Sequence, residues 1–137
     1  MEKHPGGCLC GAVRYVAQGP LRDVVFCHCS QCRRQTGLYY AATAVEKADL
    51  TLENPAALRW YAASDYAERG FCGTCGSALF WRAHSASYIA ILAGSLDDSS
   101  GLKAVSHICT EGRATYYAIC DGLPQYAHAS PEIAIDG

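Results

Sequence analysis

The cysteines constrain this chain more than anything else in it. Seven of its nine fall into three short clusters within 137 residues: Cys8-Leu9-Cys10, Cys27-His28-Cys29-Ser30-Gln31-Cys32 and Cys72-Gly73-Thr74-Cys75. Thiols two or three positions apart converge on a single ion, as ligands spaced along one strand or around a tight knuckle turn do. A disulfide framework is not expected, because no apolar signal segment follows Met1, Glu2, Lys3 and His4. A reducing, cytoplasmic setting is expected instead, in which clustered thiols serve as metal ligands. Cys109 and Cys120 stand alone and are expected to be small buried hydrophobes.

With 50% apolar and 18% charged residues, the chain has material for one packed core, so residues 1–137 are expected to form a single domain. A formal charge of −2 gives no basic field for nucleic acid or an anionic membrane, and no apolar stretch reaches the length of a membrane span. Short β-branched, aromatic or alternating segments bounded by Gly, Pro, Asn or Asp predict a mainly β fold. Strands are expected at Ala12 to Ala17, Asp23 to Cys27, Tyr39 to Val45, Leu58 to Ala62, Tyr66 to Phe71, Ala78 to Arg82 and Tyr88 to Gly94. A further strand is expected at Tyr116 to Ile119, before a loose tail containing Pro124 and Pro131. Short helices are predicted near Ser30 and at Asn54-Pro55, where a polar cap precedes proline.

Spacing alone leaves the thiol partners open. Cys29 and Cys32 with Cys72 and Cys75 would make one CxxC…CxxC tetrad, although the gap between the pairs exceeds that of an ordinary zinc ribbon. Alternatively, Cys8 and Cys10 join Cys72 and Cys75, and Cys27, Cys29 and Cys32 form a set of three. Four thiolates close a zinc shell, whereas three leave a position for water or substrate.

The runs Gly7-Cys8-Leu9-Cys10-Gly11-Ala12-Val13-Arg14-Tyr15, Cys27-His28-Cys29-Ser30-Gln31-Cys32-Arg33-Arg34-Gln35-Thr36-Gly37 and Arg69-Gly70-Phe71-Cys72-Gly73-Thr74-Cys75-Gly76-Ser77 resemble the glutathione-dependent formaldehyde-activating enzyme family, which includes centromere protein V. The likeness continues through Ala93-Gly94-Ser95-Leu96-Asp97-Asp98, His107-Ile108 and Asp121-Gly122-Leu123-Pro124. The chain departs from the family at Ala114-Thr115-Tyr116-Tyr117, where a tryptophan is usual. The resemblance implies a β-tent-like fold of packed antiparallel sheets and two zinc ions per chain. It implies a structural zinc on Cys8, Cys10, Cys72 and Cys75, and a catalytic zinc on Cys27, Cys29 and Cys32. The activity it implies is that of a carbon-sulfur lyase of the S-hydroxymethylglutathione synthase kind, acting on the adduct of a small thiol such as glutathione with an aldehyde. A noncatalytic zinc-stabilised binding module is the alternative the same family allows.

Arg33 and Arg34 directly follow the last ligand of the trio and are candidates for holding a substrate carboxylate. In an extended segment His28 points away from its neighbouring ligands and serves a supporting role. His107 is a candidate acid or base by type, with a satisfied loop histidine as the plainer expectation, and Tyr39 or Tyr40 is a candidate for the pocket wall. With seven thiolates around two dications, the formal charge falls from −2 to about −5, which makes a nearby arginine more useful for an anionic substrate.

Overall fold

Alternation decides the first sheet. In Arg14–Gln18 the side chains of Tyr15 and Ala17 are buried, while those between them are partly exposed. A computed structural model describes residues 1–129 and places this strand, β2, between β1 (Lys3–Gly7) and β5 (Leu50–Leu52) in a three-stranded antiparallel sheet. Pro5 is tolerated because β1 is an edge strand. Gly6 is required there, since a Cβ would collide with the Tyr15 hydroxyl and the Ser95 carbonyl.

The second sheet uses β3 (Val24–Cys27), β4 (Tyr40–Glu46), β6 (Leu58–Tyr61), β7 (Ala67–Cys72), β8 (Ala78–Ala83), β9 (Tyr88–Leu92) and β10 (Ala104–Ile108), in the order β10-β3-β4-β9-β8-β7-β6. All its pairings are antiparallel except that of β10 with β3. Its central strands are buried on both faces, and the period of two sorts their residues. Val45 of β4 and Ile89 and Ile91 of β9 join Tyr15, Leu79, Phe80 and Leu96 in the main core. Tyr40 and Ala42 of β4 and Ala90 of β9 face the other way, into a smaller cluster with Cys32. Burying Phe80 or Ile91 contributes roughly 1.5–3 kcal/mol each, so the main core holds the sheets while the second face is left for the site.

The mainly β, antiparallel-dominated architecture is the one the sequence predicts, and the seven well-signalled strands lie within a few residues of their expected limits. Near Ser30 the expected helix is α1 (Ser30–Thr36); at Asn54-Pro55 it is one 3-10 turn, Pro55–Ala57, with no capping bond from Asn54. The strand expected at Tyr116 to Ile119 is not formed. There Tyr116 donates its hydroxyl to the Gly37 carbonyl and the Tyr117 hydroxyl bonds His28 Nδ1, so side chains rather than a backbone ladder anchor the segment. Three strands had too little signal to be read: β1 is rich in Gly and Pro, β5 has three residues, and β10 needs its distant partner β3. Pro124 lies in irregular chain beside a single bridge of Gln125 to His107, and Pro131 lies outside the described residues.

Candidate metal centres and active-site cavity

The structure resolves the partner ambiguity by bringing Cys8, Cys10, Cys72 and Cys75 into one group and Cys27, Cys29 and Cys32 into another, with the sulfurs of each group within 4.8 Å of one another. Cys8 and Cys10 do not lie on a strand as expected. They sit in a turn after β1, where the Gly11 amide bonds the Cys8 carbonyl and the Val13 amide donates to Cys8 Sγ at 3.2 Å. A turn converges the two sulfurs and an extended strand would leave them farther apart. The second pair forms the predicted knuckle: the amides of Thr74 and Cys75 both donate to Cys72 Sγ at 3.4 Å, and Gly76 closes the turn at φ 80°.

These four donors fit zinc. Sulfurs at ~2.3 Å from a tetrahedral ion stand ~3.8 Å apart, and Cys8 to Cys10 and Cys10 to Cys72 measure 3.7 and 3.8 Å. Cys75 accepts help from Ser77, whose hydrogen bonds pull its thiol down to about 5, so this corner favours thiolate. Cys72 is fully buried and packs into the main core, which couples this centre to the fold.

The trio is built at the junction of β3 and α1. Cys27 ends the strand opposite Tyr40, Cys29 caps the helix by accepting from the Cys32 amide at 3.3 Å, and Cys32 is buried one turn later. Cys29 and Cys32 share a hydrogen bond at 3.0 Å. Hydrogen bonds from Cys27 and Cys32, and the nearby Arg69 charge, bring Cys29 down to about 2, so the trio carries negative charge at neutral pH. All three thiols line a cavity of about 530 Å³, and no residue of the tetrad does.

Arg69 is the residue that sequence reasoning missed. Its buried guanidinium donates from Nη2 to Cys32 Sγ at 3.4 Å and reaches Cys29 Sγ at 3.7 Å, while Nε and Nη1 donate to the Gln31 and Gln35 side chains. Its position three residues before Cys72 gave one available signal: alternation along β7 turns Arg69 to the face opposite Cys72, toward the trio. Arg33 and Arg34 do not line the trio cavity. Arg34 borders an adjoining recess with Gln31, Gln35 and Arg69, and Arg33 is partly buried with its Nε unpartnered among the described residues.

His28 is fully buried on the far side of its segment, with Nε2 2.8 Å from His107 Nδ1; His107 Nε2 in turn meets Asp121 Oδ2 at 2.8 Å. Burial, with the neighbouring His107, pushes His28 down to about 4, so it is neutral. His107 lies on β10 rather than in a loop, and this chain of rings pins the trio segment from behind. Tyr40 lines the cavity and its buried hydroxyl has no partner among the described residues; Tyr39 instead packs on Phe26 and His28. Neither lone cysteine is a buried hydrophobe. Cys120 is exposed, and Cys109 lines the cavity from a left-handed backbone position at φ 53°, hydrogen-bonded with Cys27. No helix among the described residues is long and apolar enough to cross a membrane.

An uncharacterized lyase of Schizosaccharomyces pombe is 32% identical over 81 residues, which cover 59% of this chain and 58% of the relative's own length. The chain therefore spans less than two thirds of that curated relative. A crystal structure of a Rhodobacter sphaeroides protein aligns with a TM-score of 0.59 and 26% identity, covering 74% of this chain and 99% of that one. A family model described as glutathione-dependent formaldehyde-activating enzyme matches residues 3–112, a span that holds both cysteine groups and Arg69. The chain belongs to the glutathione-dependent formaldehyde-activating enzyme family.

Proposed function

We propose that this chain is a zinc-dependent, carbon-sulfur lyase-like enzyme that makes or breaks the adduct of a small thiol, such as glutathione, with an aldehyde. The observation that carries this reading is the contrast between the two groups: three convergent thiols open onto a cavity of about 530 Å³, and four others close on themselves outside it. Cys8, Cys10, Cys72 and Cys75 hold the structural zinc; Cys27, Cys29 and Cys32 hold the catalytic one. The family description and the lyase name of the yeast relative agree with this class of chemistry.

A zinc ion on three thiolates supplies Lewis acidity at its remaining position and lowers the pKa of a thiol or water there. The protein's own groups do the rest. Arg69 balances the charge of Cys29 and Cys32, and the Gln31 and Gln35 amides hold its guanidinium in place. Arg34, at the adjoining recess, and Arg33 are further candidates for a substrate carboxylate. Residues 1–137 are read as one zinc-binding domain working in the cytoplasm, with neither nucleic acid nor membrane as partner.

Exchange spectroscopy on mixed glutathione and formaldehyde tests the reading. The zinc-loaded protein should speed interconversion of the free thiol and its hydroxymethyl adduct, and Cys29→Ser should abolish the effect. No acceleration with any thiol and aldehyde pair would sink it. The second reading, a noncatalytic zinc-stabilised module, is favoured by one feature: Cys109 stands beside Cys27 and offers a fourth thiol. X-ray absorption counting four sulfurs at both metals, reduced to three at one of them in Cys109→Ser, would favour the module.

A further inference from the structure

The fold leaves one buried polar group beside the trio unused. Tyr40 stands directly opposite Cys27 in the antiparallel pair of β3 and β4, and facing residues of such a pair turn their side chains to the same face. The two therefore meet on the cavity side of the sheet, in the small cluster that holds Cys32, where their neighbours Ala42 and Ala90 are small. The Arg69 guanidinium lies 5.3 Å from the Tyr40 ring centre, and the hydroxyl is within electrostatic reach of Arg69, Cys32 and Cys27. Tyr40 is only 3% exposed, and its hydroxyl has no hydrogen-bond partner among the described residues. Arg69, by contrast, is committed to the Cys29 and Cys32 sulfurs and to the Gln31 and Gln35 side chains. A buried hydroxyl without a hydrogen bond costs free energy, and phenylalanine would fill the same space without that cost. Arg33 Nε and Ser106 Oγ are buried in the same state, but neither residue lines the cavity. A phenol is protonated at neutral pH and supplies one donor, which an oxygen acceptor held at the trio would satisfy.

We propose that Tyr40 is a catalytic residue whose hydroxyl donates a hydrogen bond to the substrate oxygen, the carbonyl oxygen of the aldehyde that becomes the hydroxyl oxygen of the adduct. This rests on the thiol–aldehyde function proposed above and assigns one donor to it. The reaction is an addition without redox change. The sulfur–carbon bond forms, the carbonyl π pair moves to oxygen, and that oxygen, held by Tyr40, takes the proton the thiol gives up; cleavage is the reverse. The hydrogen bond is strongest while the oxygen carries most negative charge, so Tyr40 acts on the transition state more than on the bound thiol.

Tyr40→Phe deletes only the oxygen and tests this in three measurements. The ligand-free variant should unfold at the wild-type temperature or slightly above, because the lost group made no hydrogen bond. In glutathione–formaldehyde exchange, its turnover should fall about tenfold to a hundredfold while KM for the thiol changes less than about twofold. Binding without turnover is read from the sulfur-to-cobalt charge-transfer band of the cobalt-substituted protein, titrated with thioacetate, which carries an oxygen on the carbon that bears sulfur as the adduct does, and with ethanethiol, which does not. Tyr40→Phe should weaken thioacetate about fivefold and ethanethiol less than about twofold. A variant that melts more than about 4 °C below wild type, or does not fold, would make the hydroxyl structural and overturn the assignment. Wild-type turnover, or equal weakening of thioacetate and ethanethiol, would overturn it too and leave the thiol–aldehyde function standing. A wild-type protein that does not speed the exchange of any thiol and aldehyde pair would instead remove that function and this inference with it.

Discussion

The two cysteine groups use the same donor atom for opposite ends. The tetrad joins turns from distant parts of the chain, Cys10 to Cys72 being 62 residues apart, and its two buried members, Cys8 and Cys72, pack into the main core. The trio is local, within six residues at the end of β3 and the start of α1, and packs on the smaller cluster beside the cavity. A site that ties distant segments is part of the fold. A local site that held an ion could release it with most of the fold intact.

The largest effect should come from breaking the tetrad. Closing a 62-residue loop reduces chain entropy by a length term of about 3.7 kcal/mol, comparable with a large part of a small domain's stability. Cys8→Ser and Cys75→Ser should therefore lose cooperative thermal unfolding by circular dichroism. Cys29→Ser should retain native dichroism and about one metal per chain by elemental analysis while losing turnover. Equal collapse of the Cys29 and Cys75 variants would erase the distinction between the two groups.

A smaller effect should separate Arg69 from both sets of ligands. Hydrogen bonds from a charged donor contribute about 1.5–3 kcal/mol, so Arg69→Gln should weaken zinc at the trio by roughly tenfold to a hundredfold in competition with a chelator. Zinc at the tetrad should hold as in wild type; loss at both centres would mean that Arg69 supports the fold rather than the trio. Arg33→Gln and Arg34→Gln, whose side chains do not bond the trio sulfurs as Arg69 does, should leave both metals in place.

The smallest effect lies on the tetrad side, where Arg14 of β2 holds Asp97 through two bonds of 2.5 and 3.0 Å. The hydrogen bond and charge of Arg14 hold the Asp97 carboxyl below the usual carboxylate range. A depressed folded pKa means that the unfolded chain binds the proton first, so the pair's contribution is present above the ordinary aspartate pKa and is lost as pH falls through the folded one. Urea midpoints of wild type and Asp97→Asn should differ slightly at pH 6 and converge toward pH 3. A gap that widens on acidification would contradict that sign.

The sequence made the cysteine clusters, most strands and the helix at Ser30 legible because each is a local signal: a spacing, an alternation or a cap. The α1 cap illustrates this, with Cys29 as ligand candidate and Cys32 bonded back to it within four residues. Arg69 was less legible because its meaning comes from the partners it meets, thiols 37 and 40 residues away. Tyr116 and Tyr117 differ from expectation for a related reason: their β propensity is local, whereas distant partners hold them, their hydroxyls bonding Gly37 and His28.

Amino-acid order alone thus settled the ligand type, the local pairs Cys8 with Cys10 and Cys72 with Cys75, and the mainly β class, since each depends on neighbours within a few residues. Tertiary structure decided which pairs share a centre, which centre faces the cavity and which arginine stands over the thiols. Those outcomes depend on strand order and on which face of the seven-stranded sheet each side chain takes, and a one-residue change of register would reverse the face.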